Sequence, residues 1–333
     1  MKLPTSISIL ALALCAASGR AQATETSLHN DMDGDGRSDV VWHNASTAAI
    51  VYWSGARATS STPVRVGVLR SDIVYDPRRF VPVFAFSGYW EGVKRANLLV
   101  RNSAAAQEYV LFPADFYLPA FNYVVGDFHE DAINATAHGD FDGDGWLDLF
   151  YRDPRTGIDF FWMAAETTPD WGIATKRPAP TVGLSWTVAG TGDFDGDGRS
   201  DLLWRDQRSG SNAIWRSGDA AQSLRMPMVA LSWTIAAVGD YNGDGKSDIV
   251  WRNRNTGANV LWYSGQSTTS KVLTPVTDLR WQVTATGDFD GDGRFDLFWR
   301  NASTGANVIW RSADYGTRIA VTGVTNLDWT TMM

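Results

Sequence analysis

One nine-residue acidic pattern constrains this chain more than any other feature, because it recurs five times at near-regular spacing. The copy DFDGDGRSD begins at Asp193, and related copies begin at Asp31, Asp140, Asp240 and Asp288. The last three intervals between starts are nearly equal, and each copy runs directly into a short apolar segment. A period of about 40 to 50 residues built from short apolar segments is typical of the blades of a β-propeller.

The first interval is about twice the later ones and predicts a sixth, degenerate repeat. The segment YWEGVKRANLLVRN, from Tyr89, fits this position because residues 97–102 align with residues 201–206. It keeps the apolar segment and has lost the aspartates. Only Glu91 and Asn97 remain as oxygen donors, so we expect no metal in the degenerate repeat.

Aromatic residues mark two strands of each repeat and predict a hairpin. The twelfth residue of each copy, counted from its first aspartate, is aromatic, and a tryptophan follows eleven positions later: Trp42 and Trp53, Tyr151 and Trp162, Trp204 and Trp215, Trp251 and Trp262, Trp299 and Trp310. A Thr-Gly or Ser-Gly pair lies between them in four of the five copies, with Thr47-Ala48 in the first. Glycine supplies the positive φ of a tight turn, so each aromatic pair is placed on neighbouring strands.

The regular recurrence of these aromatics in the repeats favours a role in the core over a sugar-stacking surface. A basic residue follows the first aromatic position of every repeat. These residues are His43, Arg101, Arg152, Arg205, Arg252 and Arg300. We expect structural pairing for them rather than a ligand clamp.

A Leu-x-Trp marker precedes the later acidic copies and predicts how the chain closes. It occurs at residues 184–186, 231–233 and 279–281, and again at residues 327–329, close to the end of the chain. A strand begun there has no acidic loop of its own and can complete the first repeat, which removes exposed sheet edges. We therefore predict an all-β fold: a β-propeller over residues 24–333, with six blades of four antiparallel strands, or seven as the alternative.

The segment WTVAGTGDFDGDGRSDLLWRD, residues 186–206, resembles the FG-GAP or VCBS-type repeat of integrin α-subunits and of secreted bacterial proteins. The resemblance covers nearly all of the chain from residue 24, strongly in five repeats and weakly in the degenerate one. It implies a β-propeller that binds calcium in its hairpin loops and serves in adhesion, carbohydrate binding or accessory roles. This chain has Trp-Thr where integrins have Phe-Gly, so integrin partners are not carried over.

The acidic pattern by itself suits a hard divalent cation. Alternate aspartates converge when the loop curls, and calcium takes 6 to 8 oxygen ligands, including a backbone carbonyl from the seventh residue of each loop. The EF-hand is excluded because its position 12 requires Glu, where these copies have aromatic residues. Five calcium sites are predicted, formed by Asp31, Asp33, Asp35, Arg37, Asp39; Asp140, Asp142, Asp144, Trp146, Asp148; Asp193, Asp195, Asp197, Arg199, Asp201; Asp240, Asn242, Asp244, Lys246, Asp248; and Asp288, Asp290, Asp292, Arg294, Asp296.

The charge balance agrees with metal binding. The five loops hold 19 of the 37 acidic residues, and the formal net charge of the whole chain is −8. Removal of residues 1–23 takes away Lys2 and Arg20 and leaves a net charge of −10, which five calcium ions would neutralise. We therefore expect metal to stabilise the fold.

Residues 1–23 read as a cleaved secretory signal, with Lys2 as the basic start and an apolar stretch before Ala21-Gln22-Ala23. The only cysteine, Cys15, lies inside that stretch, so no disulfide is expected. A secreted or periplasmic monomer is predicted, without a membrane span. The acidic pI near 5.0 argues against nucleic-acid binding.

The functional expectation is a binding or adhesion module for a glycan or an extracellular surface protein. Residues 112–138 form a segment that departs from the repeat pattern. This irregular segment is rich in aromatic residues and is a candidate binding region. The alternative is a propeller-based polysaccharide lyase or glycoside hydrolase that uses His129 with Glu130 or Tyr123. The sequence contains neither an HExxH nor a GxSxG motif.

Overall fold

The computed structural model describes residues 30–47, 49–63, 80–90, 93–102, 107–111, 123–127, 134–163 and 175–332. The predicted signal segment, with Cys15, lies outside the described residues. The strands form six antiparallel four-stranded sheets, which confirms the all-β prediction.

Each sheet is built from strands close in sequence, with one exception that involves the last strand. The first sheet contains β1 (Val40–Asn44), β2 (Ile50–Trp53), β3 (Ser61–Pro63) and β24 (Trp329–Thr331). The second contains β4 (Phe80–Trp90), β5 (Val93–Asn102), β6 (Gln107–Leu111) and β7 (Tyr123–Asp127). The third contains β8 (Asn134–Gly139), β9 (Asp148–Arg152), β10 (Asp159–Met163) and β11 (Thr175–Ala179).

The remaining three sheets follow the same up-and-down order. They are formed by β12 (Trp186–Gly192), β13 (Asp201–Asp206), β14 (Asn212–Trp215) and β15 (Ser223–Met226); by β16 (Trp233–Gly239), β17 (Asp248–Asn253), β18 (Asn259–Trp262) and β19 (Ser270–Leu273); and by β20 (Trp281–Gly287), β21 (Asp296–Asn301), β22 (Asn307–Trp310) and β23 (Ile319–Val321).

Five of the sheets pack side by side as propeller blades. The first strands lie against one another, because β8 contacts β12, β12 contacts β16 and β16 contacts β20. The blade that contains β1 packs on the β20–β23 blade through Trp42 and Phe298, whose ring centroids are 6.0 Å apart. The chain is therefore a β-propeller in which the first strand of each sheet faces its neighbours.

The predicted number of blades is corrected by this packing. The prediction of six blades, with seven as the alternative, is wrong, since five four-stranded blades are packed against one another. The sheet β4–β7 is formed by the degenerate repeat, and its four strands pair in sequence order. There Trp90 pairs with Val93, so strands β4 and β5 of this repeat are paired along their length without the acidic loop that each of the five blades carries.

The predicted closure by the last strand is confirmed. Strand β24 pairs with β1 through Trp42–Thr331, His43–Thr330 and Asn44–Trp329. The Met332 N–H also donates to the carbonyl of Val41 at 2.9 Å. The last and first described strands are thereby held in one sheet.

The hairpin turns lie where the Thr-Gly pairs predict them. Gly157, Gly210, Gly257 and Gly305 have φ values of 73°, 77°, 73° and 71°, in the left-handed region. At Gly257 an added Cβ would collide with the carbonyl oxygen of Val276, so both the φ and the close approach require glycine. The predicted strand–turn–strand order of each repeat is confirmed.

The aromatic pairs lie in the core, as predicted. Trp42, Trp204, Trp251 and Trp299 are at most 1% exposed. Trp204 and Trp215 lie diagonally rather than directly opposite, because Trp204 pairs with Ala213, yet their ring centroids are 4.9 Å apart. The fold therefore buries these indoles where a sugar would have no access.

Candidate metal centre

Four of the acidic loops connect the first and second strands of a blade, and the loop at Asp31 leads directly into β1. The loop between β12 and β13 leaves β12 at Gly192 and enters β13 at Asp201, and its two central glycines have φ values of 79° and 84°. Those φ values let the chain curl tightly, which side chains other than glycine rarely permit. The same pair of positive φ values recurs in all five loops.

The first aspartate of the loop organises the curl through its carboxylate. Asp193 Oδ1 accepts hydrogen bonds from the N–H groups of Gly196 at 2.6 Å and Asp197 at 3.2 Å. Its Oδ2 accepts one from Gly198 N–H at 2.9 Å. Burial raises the pKa of Asp193, and these N–H donors counteract that effect.

The ninth-position aspartate joins the loop to the far end of the hairpin. Asp201 Oδ2 accepts from Phe194 N–H at 2.9 Å, and its Oδ1 accepts from Ser217 N–H at 2.7 Å. Burial is the main cause that raises the pKa of Asp201 to about 7. The same cause raises the pKa of Asp39 to about 8, of Asp248 to about 7 and of Asp296 to about 8.

The fold brings three carboxylates together in four of the five predicted sites. Within each group, one oxygen from each residue lies within 4.8 Å of the others: Asp31, Asp33 and Asp39; Asp140, Asp142 and Asp148; Asp193, Asp195 and Asp197; and Asp288, Asp290 and Asp292. Such a set of hard oxygen donors suits a divalent cation of the calcium or magnesium type.

Two buried oxygen atoms support the fit of a divalent cation to these carboxylate groups. Asp195 Oδ1 and Asp290 Oδ1 have no hydrogen-bond partner among the described residues, although each atom is buried. The other oxygen of Asp195 lies 3.2 Å from Arg216 Nε, and the other oxygen of Asp290 lies 3.4 Å from Arg311 Nη1. A buried carboxylate oxygen without a donor is costly unless a cation approaches it.

The loop at Asp240 differs from the others at its second ligand position. Asn242 Nδ2 donates to Asp244 Oδ2 at 3.0 Å, and Asn242 Oδ1 accepts from Asp244 N–H at 2.9 Å. An amide oxygen can still serve as a neutral ligand. The seventh residues of all five loops donate their N–H to the aspartate at the fifth position of the same loop, for example Arg199 to Asp197 at 2.9 Å.

Sequence reasoning missed the residue that closes four of the loops from the short turn that follows the third strand of the blade. The N–H groups of Gly55, Ser217, Ser264 and Ser312 donate to the ninth-position aspartates at 2.7 to 2.8 Å. All four have positive φ and follow the second aromatic of the repeat by two positions. That fixed offset, with serine in three of the four repeats, was the available signal.

The predicted structural pairing is confirmed for Arg152, Arg205, Arg252 and Arg300, which donate to backbone carbonyls at the entrance of the next blade. The side chain of Arg101 lies outside the described part of the structure. Arg205 is 4% exposed and donates from Nη1 to Asn212 Oδ1 at 2.8 Å and from Nη2 to the carbonyl of Trp233 at 2.9 Å. Trp233 begins the first strand of the next blade. These arginines therefore join blades rather than bind ligands.

The irregular segment singled out in the sequence lies largely outside the described residues. His129 and Glu130 are among the residues not described, while Tyr123 begins β7. Within the part of the chain that the structure describes, helices are limited to three-residue turns, and none could span a membrane.

The hairpin-turn end of four blades exposes a leucine at an equivalent position. Leu184, Leu231, Leu279 and Leu327 are 58%, 39%, 42% and 47% exposed. Each stands two positions before the tryptophan that begins a first strand. Because the acidic loops follow the other end of that strand, the leucines and the acidic loops lie at opposite ends of the blades.

Comparison with known proteins gives a family and a fold. A search of curated proteins found no match. Among solved structures, one chain from a crystal structure of a nidogen/laminin complex aligns with a TM-score of 0.51 and 11% identity, covering 83% of this chain and 89% of that chain. A Bacteroides ovatus chain, named as a candidate dipeptidyl aminopeptidase IV, aligns with a TM-score of 0.32 and 8% identity over 85% of this chain and 51% of its own.

The match to a protein-family model is more specific than these structural similarities. The model of the FG-GAP-like repeat matches residues 140–225 and 240–329, which together make up more than half of the chain. Both matched segments begin at the first aspartate of an acidic loop. The chain belongs to the FG-GAP-like repeat family.

Proposed function

We propose that this protein is an exported, calcium-stabilised β-propeller that binds an extracellular protein. Calcium occupies the five acidic loops and has a structural role. The partner contacts the hairpin-turn end of the blades. Export follows from the signal-like segment 1–23 and agrees with a fold that relies on metal rather than on disulfides.

The buried Asp195 Oδ1 is the observation that carries the calcium assignment. It lies beside Asp193 and Asp197, and no described side chain supplies this oxygen with a cation or a hydrogen-bond donor. Calcium fits this donor set better than magnesium, because calcium accepts irregular shells of carboxylate, amide and carbonyl oxygens whereas magnesium requires near-ideal octahedral geometry.

The calcium assignment is tested by thermal unfolding with and without chelator. At a free calcium concentration of 100 times the dissociation constant, each independent site adds about 2.7 kcal/mol to the free energy of unfolding. We expect calcium to raise the melting temperature of chelated protein by many degrees and magnesium to raise it much less. An identical melting temperature in chelator and in calcium would contradict the assignment.

A protein partner is favoured over a glycan by the residues that remain exposed. The repeated geometry of the blades buries the first aromatic residue of each pair, so those ring faces are closed to sugars. The exposed large apolar side chains at the hairpin-turn end are aliphatic: Leu184, Leu231, Leu279 and Leu327, together with Ile158 and Met228. They suit an apolar protein contact rather than sugar stacking.

The binding proposal is tested with purified calcium-loaded protein. Cross-linking to intact cells that carry surface proteins, before and after treatment with protease, is compared with binding to a glycan array. We expect cell binding that protease abolishes and that the double substitution Leu231→Ser and Leu279→Ser weakens. Protease-resistant cell binding together with array binding would instead establish a glycan ligand. Substitution of the edge-strand residue Val272→Ser is the matched control, since Val272 is 81% exposed but lies on β19.

A further inference from the structure

The acidic loops of neighbouring blades are hydrogen-bonded to one another. In each case the N–H of the eighth loop residue donates to the carbonyl of the first aspartate in the preceding loop. The four described junctions are Ser200 to Asp140 at 2.7 Å, Ser247 to Asp193 at 2.6 Å, Phe295 to Asp240 at 2.7 Å and Ser38 to Asp288 at 2.7 Å. At each junction the carbonyl of one candidate ligand, the first aspartate of a loop, is therefore bonded to the eighth residue of the next loop. That eighth residue directly precedes a second candidate ligand, the ninth-position aspartate.

The serine hydroxyl adds a second contact at two junctions. Asp140 N–H donates to Ser200 Oγ at 3.1 Å, and Asp288 N–H donates to Ser38 Oγ at 3.0 Å. Ser200 therefore holds Asp140 at both its N–H and its carbonyl. An added Cβ on the preceding Gly139 would collide with the Ser200 hydroxyl, so that glycine permits the approach.

The seventh loop residue makes a further contact between loops. An added Cβ at Gly143 would lie 3.2 Å from Arg199 Cγ, which places the Arg199 side chain against the turn of the preceding loop. The N–H of Gly143 donates to Asp140 Oδ1, and the N–H of Arg199 donates to Asp197 Oδ1. Arg199 thus contacts the carboxylate-bearing curls of two blades.

The same arrangement recurs in the other described junctions. Lys246 lies against Gly196, Arg294 against Gly243, and Arg37 against Gly291, with separations of 3.1 to 3.3 Å between the added Cβ and the nearest side-chain carbon or nitrogen. The five loops consequently form one hydrogen-bonded series that runs from blade to blade.

We propose that the five loops bind their cations cooperatively, through the seventh and eighth residues of each loop. This inference rests on the proposed calcium binding. Neutralising the carboxylates of one loop fixes the peptide group of its first aspartate, and that group holds the eighth residue of the next loop. The next loop then loses less conformational entropy when it binds its own cation, which is positive coupling.

Under this proposal Ser200 and Arg199 are positioning residues, because they act on the ligands through hydrogen bonds and packing. The coupling is measured by isothermal titration of calcium into chelator-stripped protein. Independent and equivalent sites give a Hill coefficient of 1, whereas we expect about 2 for the wild-type protein. The substitution Ser200→Ala should keep the number of bound calcium ions and lower the Hill coefficient.

A substitution within one loop gives an independent measurement. Asp195→Ala removes both oxygens of a candidate ligand whose described ion pair is with Arg216, so the blade itself should remain folded. We expect the bound calcium to fall by one ion and the half-saturation concentration of the remaining sites to rise roughly fivefold. Ser211→Ala, at an exposed turn where the hydroxyl contacts Ser209 Oγ, is the control and should leave both quantities unchanged.

The outcomes separate the two proposals. Stoichiometric calcium binding with a Hill coefficient of 1, and with the remaining sites unaffected in Asp195→Ala, would overturn the coupling and leave the calcium assignment intact. Titration without any calcium binding would overturn the calcium assignment, and the coupling with it.

Discussion

The guanidinium carbon of Arg205 lies 5.1 Å from the ring centroid of Trp251 in the neighbouring blade. The same relationship links Arg152 to Trp204, Arg252 to Trp299 and Arg300 to Trp42. Each guanidinium also donates to backbone carbonyls at the entrance of the next blade, so a buried cation is matched with several acceptors and an aromatic face.

Removal of this arginine should destabilise the propeller strongly. Arg205→Ala would leave the carbonyls of Val229, Ala230 and Trp233 without their described side-chain donor. We expect the free energy of unfolding to fall by about 2 to 4 kcal/mol. Urea denaturation monitored by tryptophan fluorescence measures the loss. Arg208→Ala, at an exposed turn of the same blade, should change stability by less than about 0.5 kcal/mol.

One blade carries an acid where three others carry an amide, and this difference predicts a pH dependence. Arg152 Nη1 donates to both oxygens of Asp159, at 2.8 and 2.7 Å, whereas the equivalent arginines face Asn212, Asn259 and Asn307. Burial raises the pKa of Asp159 to about 6, although Arg152 acts in the opposite direction. The folded state therefore binds this proton more tightly than the unfolded state, whose carboxyl has a pKa of 3.8.

The raised pKa of Asp159 determines how the stability of the fold changes with pH. The contribution of Asp159 to stability should decrease as pH rises from about 4 to 6 and stay at its lower value above pH 6. Asp159→Asn should remove this slope, keep the bond to Arg152, and be as stable as or more stable than wild type at pH 8. Melting curves of both proteins in chelator at pH 4.5 and pH 8 provide the measurement. A wild-type-minus-variant difference that grows in favour of wild type with rising pH would contradict the prediction.

A glycine at a blade junction should not tolerate a methyl group. An added Cβ on Gly239 would collide with the ring of Phe295, which is fully buried in the next blade. We expect Gly239→Ala to cost about 1 to 3 kcal/mol, because a well-packed core must shift to accept the extra carbon. Gly183→Ala is the control, since its Cβ would meet only Trp186 Cδ1 at 3.8 Å, an ordinary contact. Equal stabilities of the two variants in chemical denaturation would argue against close packing at Gly239.

The closing strand should be required for full stability. A chain that ends before Leu327 loses all three residue pairs between β24 and β1 and leaves the β1 edge open. We expect its melting temperature to fall by about 10 °C, which corresponds to a loss of a few kcal/mol in a chain of this size. A synthetic peptide of residues 322–333, added in excess, should restore part of the loss. An unchanged melting temperature after truncation would show that β24 contributes little.

Local features of the fold were predictable because the repeat records them directly. The Thr-Gly turns, the aromatic strands and the clustered acids all depend on residues that lie near one another within a single repeat. The closing pair of β24 and β1 was also predictable, because an unpartnered Leu-x-Trp marker at residues 327–329 requires a sheet to join. The degenerate repeat was found by alignment, but alignment did not reveal the short hairpin between β4 and β5.

The repeat specifies the unit: a strand, an acidic loop, and a hairpin with its aromatic core. How the units meet depends on the packing of the sheets in three dimensions. The bonds from Ser247 N–H to the Asp193 carbonyl and from Arg205 to the Trp233 carbonyl use backbone acceptors. Every residue has such a carbonyl, so the residue type does not indicate which one will accept the bond. The number of packed blades and the connection between acidic loops depend on those acceptors, and therefore on the stacking of sheets in space rather than on the repeat.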